Sequence, residues 1–287
     1  MSIKSLFLHL RLHWQLILMP LFLWGFILSG AGFTSLFWQA LFIFHLLFYG
    51  GATALNSYFD KDEGPVGGLW NPPAVTRELL IFAVALQLIG LIWIGWLSRP
   101  LLFLALPMGL LGNAYSIPGI RLKAHPWTSL LAVGIGQGLG GMLAGWLTGT
   151  ESWASVLTPI PLLGGTVALL IILGFYPLTQ VYQRIEDARR GDITFAVYWG
   201  KRTFDFSMLF IALAALPLIP LLLQLQTPGL LFLILPGLLG MIAWIARWKS
   251  RFADEQIHEN YTQLMRLSYL MTAVLLLLFG WQFSQRL

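Results

Sequence analysis

Long, almost unbroken apolar runs constrain this chain more than any other feature. A helix crosses a bilayer with about 20 apolar residues, and runs of that kind occupy 14–32, 35–58, 78–97, 100–116, 127–148, 157–182, 205–225, 229–247 and 264–284. Strands of a membrane barrel need only about 10 residues and alternate in polarity. These runs are longer, rich in Gly, Leu and Trp, and do not alternate. They predict an all-α integral membrane protein of nine transmembrane helices, folded as a single domain over 1–287. A soluble surface is excluded because 57% of the residues are hydrophobic and only 10% are charged.

The formal net charge of +5 raises nucleic acid as a partner, but the basic residues follow the membrane. With nine spans, every Lys and Arg except Arg99 and Arg286 falls on the side of the amino terminus. The positive-inside rule then makes that side cytoplasmic, in the inner (cell) membrane if the source is bacterial, and no nucleic-acid partner is expected. The first apolar run is flanked by Lys4 and Arg11 and lacks a small-residue cleavage site, so it reads as a retained span. No cysteine is present, which excludes disulfides and thiolate metal sites.

The acids gather on the same side, although Asp and Glu contribute little to topology. One cluster, NSYFDKDE at 56–63, leaves the second span, and another, QVYQRIEDARRGD at 180–192, leaves the sixth. Asn56 and Asp60 share a helical face, as do Gln183 and Asp187 with Glu186 beside them. Gly64 and Pro65 end the first helix near Asp60, so Asp62 and Glu63 can turn back towards it. Hard oxygen ligands without thiolates suit Mg²⁺, which takes few carboxylates plus waters and substrate phosphates. Solvated loop acids paired with nearby Lys and Arg give the same local pattern, but its recurrence after two helices favours the ligand reading. A third connection on this side, NAYSIPGIRLK at 113–123, offers Tyr115, Arg121 and Lys123 as donors to an anion.

These three stretches resemble the UbiA superfamily of intramembrane prenyltransferases. NSYFDKDE from Asn56 is similar to the family's NxxxDxxxD, YSIPGIRLK from Tyr115 to its YSxPPxRLK-like loop, and DARRGDITFAVYWG from Asp187 to its DxxxGxxT(L)xVxxG. The resemblance covers nearly the whole chain. It implies nine helices around a central cavity, an isoprenyl diphosphate donor and Mg²⁺ dependence. The implied metal set is Asn56, Asp60, Asp62, Glu63, Gln183, Glu186 and Asp187. Arg11, Tyr115, Ser116, Arg121 and Lys123 would meet the diphosphate, with Asp60, Asp187 and Tyr115 as catalytic residues. Two positions depart from the pattern: Gly64 and Gln183 stand where the family carries Asp.

Other features are open to two readings. His45 lies eleven residues before Asn56, about 20° away on an α-helical wheel, which puts it in the same cavity or in a helix-to-helix hydrogen bond. Gln180 and Asp192 flank the second cluster and join the candidate cavity residues. Arg11 serves an anion or membrane topology. GIGQGLGG at 134–141 resembles a dinucleotide loop but lies in an apolar run without a preceding strand, so it reads as small-residue helix packing.

The expected function is a Mg²⁺-dependent intramembrane prenyltransferase, moving an isoprenyl group from a prenyl diphosphate to a lipophilic, aromatic acceptor in contact with membrane lipid. A terpene cyclase of the same fold, and a non-catalytic transporter or lipid-binding scaffold, are the alternatives.

Overall fold

The computed structural model describes residues 1–284, so Arg286 lies outside the described residues. A short amino-terminal helix, Ile3–Leu8, leads into nine longer helical segments. These are α1 (Leu12–Ser29), α2 (Ser35–Asp60), α3 (Arg77–Leu97), α4 (Arg99–Ser116), α5 (Pro126–Thr150), α6 (Pro159–Arg190), α7 (Phe195–Gln224), α8 (Leu231–Arg251) and α9 (Ile257–Ser284). No strand occurs among the described residues beyond one isolated bridge, Val66 to Leu69.

Among the described residues, eight helical stretches are long and apolar enough to cross a membrane. The exception among the nine expected spans is α4, whose apolar middle is framed by Arg99 and Pro100 at one end and Asn113 to Ser116 at the other. It still packs among the rest as a full helix. The outer face of the bundle carries large bare side chains, including Trp96 at 91% exposure and Phe232 at 89%. So much exposed apolar surface suits lipid and not water, and the chain is an integral membrane protein.

Local chemistry sets the helix ends. Thr34 caps α2 by accepting from Phe37 N–H, Ser98 caps α4 by accepting from Leu101 N–H, and prolines open α5 and α6. Lys61 in the left-handed region stops α2 directly after Asp60, and Gly191 does the same for α6 directly after Arg190.

Helices α1 and α5 form the tightest pair. At Gly25 an added Cβ would run into the Met142 carbonyl, and at Gly145 into the Phe22 carbonyl, so the two backbones touch. The GIGQGLGG stretch lies inside α5, where a Cβ at Gly138 would sit 3.0 Å from the Ala168 carbonyl of α6. Its glycines therefore serve helix packing. Helices α1, α2, α4, α5, α6 and α9 enclose a cavity of about 260 Å³, while α7 packs against α6 and α8 against α7 on the outside.

Candidate active site

The polar end of this cavity is built from four chain segments that meet at one end of the bundle. Asp60 closes α2, and Asp62 follows the left-handed Lys61. The chain then makes a tight turn in which Val66 and Leu69 exchange backbone hydrogen bonds of 2.8 and 2.7 Å. Gly67 and Gly68 hold positive φ there. Bareness matters as much as φ, because a Cβ at Gly67 would lie 2.6 Å from Arg11 Nη1 and one at Gly68 would collide with the His13 ring. The turn thus seats on the start of α1, and Gly67 N–H donates to Tyr182 OH (3.2 Å) at the end of α6.

Arg11, buried in this fold, donates to Ser57 Oγ at 2.8 Å and stands 3.8 Å from Asp62 Oδ2. Its backbone is left-handed (φ 50°), as is that of Arg121 (φ 39°). For residues with a Cβ this conformation costs roughly 1–2 kcal/mol, and strain of this kind collects at functional sites. Arg121 donates from Nε and Nη2 to the two carboxylate oxygens of Asp192, each at 2.8 Å, and its Nη2 is 3.5 Å from Asp60 Oδ1. The paired Asp192 pushes the Arg121 guanidinium up from its ordinary value. Burial pushes the Asp192 carboxyl up, but the hydrogen bond and charge of Arg121 outweigh it and hold the group below the usual carboxylate range. Lys123 forms a close ion pair with Asp60 Oδ2.

From the α6 end, Asp187 accepts from Arg190 Nη2 at 3.0 Å and from Thr194 Oγ1 at 3.2 Å. Arg190 also reaches across the site: its Nη1 donates to the Asp60 carbonyl and to Asp62 Oδ1, both at 2.9 Å. Ala196 N–H donates to Gln180 Oε1 (3.3 Å), which turns the Gln180 amide towards Tyr176 OH (2.5 Å); that hydroxyl is 2.7 Å from Tyr115 OH. Asn56 donates to Ser116 Oγ at 3.1 Å.

The cavity wall therefore brings together Arg11, Asn56, Asp60, Asp62, Tyr115, Ser116, Lys123, Gln180, Gln183, Asp187, Arg190 and Asp192. Arg121 stands behind them through Asp60 and Asp192. Glu63 and Glu186 do not face this cavity. They line a separate recess with Gly64, Trp70, Tyr182 and His258, where Glu186 Oε1 accepts from Glu63 N–H at 3.1 Å.

His45 is also elsewhere. Its ring packs against Phe22 and Tyr49, at centroid distances of 6.0 and 5.6 Å, and is not part of the cavity wall. The cause is the segment Ile43–Tyr49, which is π-helical. Its wider turns break the α-helical phase that would have aligned His45 with Asn56. The backbone of Gln15 on α1 stands beside the ring as a hydrogen-bond partner, which is the helix-to-helix contact.

Two residues escaped the sequence reading. Arg190 had a visible signal, because it stands three and four residues after Asp187 and Glu186 on one helix. Tyr176 had none, since its link to Tyr115 joins α6 to α4 across 61 positions.

Among the described residues no group of three or more His, Asp or Glu side chains is gathered closely enough to hold a metal by itself. Two carboxylate oxygens nevertheless have no hydrogen-bond donor: Asp60 Oδ1 and Asp62 Oδ2, on side chains only 5% and 3% exposed. Buried acceptors left open in this way are costly and suit a hard cation whose remaining ligands are waters or substrate oxygens. The donor set fits Mg²⁺.

Residues 18–270 match the model of the UbiA prenyltransferase family. Similar solved structures include a UbiA homologue from Archaeoglobus fulgidus bound to GPP and Mg²⁺, 18% identical, with TM-score 0.69 over 96% of this chain and 99% of that one. A structure of digeranylgeranylglyceryl phosphate synthase is likewise 18% identical, with TM-score 0.66 over 98% of both chains. An apo UbiA homologue from Aeropyrum pernix K1 is 18% identical, with TM-score 0.64 over 92% of this chain and 97% of that one. No curated protein matches the sequence. A family match that takes in the ends of α2, α4 and α6, together with the shared all-helical fold, makes this chain a member of the UbiA prenyltransferase family.

Proposed function

We propose that the chain, as one domain over 1–287, is a Mg²⁺-dependent intramembrane prenyltransferase that moves an isoprenyl group from a prenyl diphosphate to a lipophilic, aromatic acceptor. The observation that carries this reading is the pair of open, buried carboxylate oxygens on Asp60 and Asp62, set among cations at the polar end of an otherwise apolar cavity. The neighbours from Archaeoglobus fulgidus, solved with GPP or DMAPP and Mg²⁺, support the same donor class. The positive-inside bias supports a cytoplasmic location for this end of the bundle and the amino terminus.

Asp60 and Asp62 would hold Mg²⁺, with Asn56, Gln183 and Asp187 in the same wall. When bound, the ion supplies positive charge to the diphosphate as the carbon–oxygen bond breaks. Arg11, Lys123 and Arg190 bring fixed charge to the remaining diphosphate oxygens, and Tyr115 and Ser116 bring hydroxyl donors. The bonding electrons leave with the diphosphate, and the allyl group becomes cationic. Trp14, Phe48, Tyr49, Phe175 and Tyr176 line the cavity, and ring faces stabilise a nearby cation. The apolar walls keep water from the cation until the acceptor's ring electrons form the new carbon–carbon bond and the ring gives up its proton to the released diphosphate.

Purified protein incubated with Mg²⁺, prenyl diphosphates of several lengths and a set of aromatic acceptors tests this. Diphosphate release with an acceptor-linked product, abolished by EDTA, is expected. A cyclised hydrocarbon formed without acceptor would replace transferase with cyclase, and binding without any diphosphate release would leave only a transporter or scaffold.

A further inference from the structure

The two acid-bearing helix ends each have the makings of a cation site, and at only one of them do buried carboxylate oxygens lack a hydrogen bond, meeting Arg121 and Arg11 only at 3.5 and 3.8 Å. At the α2 end, Asp60 Oδ1 and Asp62 Oδ2 lack hydrogen-bond donors. At the α6 end both oxygens of Asp187 already have a donor. Asp187 Oδ1 accepts from Arg190 Nη2 at 3.0 Å and Oδ2 from Thr194 at 3.2 Å, while Glu186 turns into the side recess towards Glu63 N–H. Gln183, the other oxygen donor in this wall from α6, has no charge.

Arg190 stands where a second cation would have to stand. Its guanidinium lies between the helix ends, 2.9 Å from the Asp60 carbonyl, 2.9 Å from Asp62 Oδ1 and 3.0 Å from Asp187 Oδ1. An arginine is always protonated and presents its five donors in a rigid plane, so it can join two carboxylates while keeping its own charge. Its Nε–H is buried without a hydrogen-bond partner, with Asp192 Oδ2 the recorded acid oxygen beside it, at 4.0 Å. Three of the five donors are used within the chain, so Nε–H and one Nη2–H remain for oxygens from outside it, at a cavity-lining residue.

We propose that Arg190 takes the place of a second divalent cation: the site binds one Mg²⁺, at Asp60 and Asp62, and Arg190 serves the Asp187 side and meets the diphosphate directly. The departure at Gln183 agrees with this, because it leaves one carboxylate fewer in the cavity wall to hold another ion. The inference rests on the reading of the site as one for Mg²⁺ and a diphosphate.

Equilibrium dialysis of the full chain in detergent, with Mn²⁺ and inorganic pyrophosphate as probes, counts each per chain. One Mn²⁺ with one pyrophosphate is expected for the wild type. Arg190→Gln, which frees the Asp187 oxygens, should take two Mn²⁺, while Arg190→Lys, which keeps the charge, should stay at one. Two Mn²⁺ on the wild type overturns the proposal and leaves the metal-and-diphosphate reading standing. A single Mn²⁺ on folded Arg190→Gln with pyrophosphate bound also overturns the proposal. Neither Mn²⁺ nor pyrophosphate on the wild type overturns the reading itself, and the proposal with it. The wild-type count does not depend on any variant folding.

Discussion

The ends of α2 and α6 carry similar residues and different states. Each presents acids beside an amide, each is stopped by a left-handed residue directly after the helix, and each lines the same cavity. At α2 two buried carboxylate oxygens have no donor. At α6 the one cavity-facing carboxylate within the helix, Asp187, is satisfied at both oxygens by Arg190 and Thr194. Likeness of motif therefore does not amount to likeness of role. What decides whether an acid is available to a ligand is the set of donors already spent on it.

The largest expected effect is at the open end. Asp60→Asn removes the charge of one open carboxylate and leaves Lys123 without its ion-pair partner. Turnover should fall roughly a thousandfold, the scale of losing several kcal/mol of charge stabilisation, and Mn²⁺ binding should be lost. Steady-state diphosphate release and dialysis measure the two. Asp187→Asn should cost less, about ten- to a hundredfold, because it loosens Arg190 without removing a ligand from the open site. Its Mn²⁺ count should stay at one. Equal losses of turnover and metal in the two variants would erase the distinction between the helix ends.

Gln183→Asp sharpens the comparison. A new carboxylate in the cavity wall should lower half-saturating Mg²⁺ a few-fold without changing the product. A changed product at unmoved Mg²⁺ dependence would instead give Gln183 a task in orienting the acceptor or steering the cation. Gly64→Asp should do least. Its Cβ would sit 3.1 Å from Glu186 Oε2 in the side recess, away from the main cavity, so Mg²⁺ half-saturation should not move.

The spans were legible because apolar length is a local property: the run expected at 35–58 is Ser35–Asp60, and that at 78–97 is Arg77–Leu97. Two helices start well before their expected ranges, α7 at Phe195 and not 205 and the last at Ile257 and not 264, because GKRT in the one and HENYTQ in the other are polar yet continue the helix. The clustering of Asp60, Asp62, Tyr115, Lys123 and Asp187 in one wall was also legible, from three polar connections predicted on one side of the membrane. Phase was not. A wheel at a fixed angle per residue fails through the π-helical turns of α2, and it misplaced His45. Nor can spacing along a helix show that Glu63 and Glu186 pair with each other away from the cavity, or that Arg190 reaches 128 positions back to Asp62. Such pairings depend on how α2 and α6 dock, and docking is decided by packing over the whole bundle.

The central claim is that the metal belongs to the end of α2, and anomalous scattering tests it most directly. In crystals of the wild-type chain with Mn²⁺ and pyrophosphate, the account predicts a single anomalous peak within coordination distance of Asp60 and Asp62, about 2.1 Å from their oxygens, with Arg190 against the pyrophosphate. A peak on Asp187, or a pair of peaks with Arg190 swung out from between the helix ends, would contradict it.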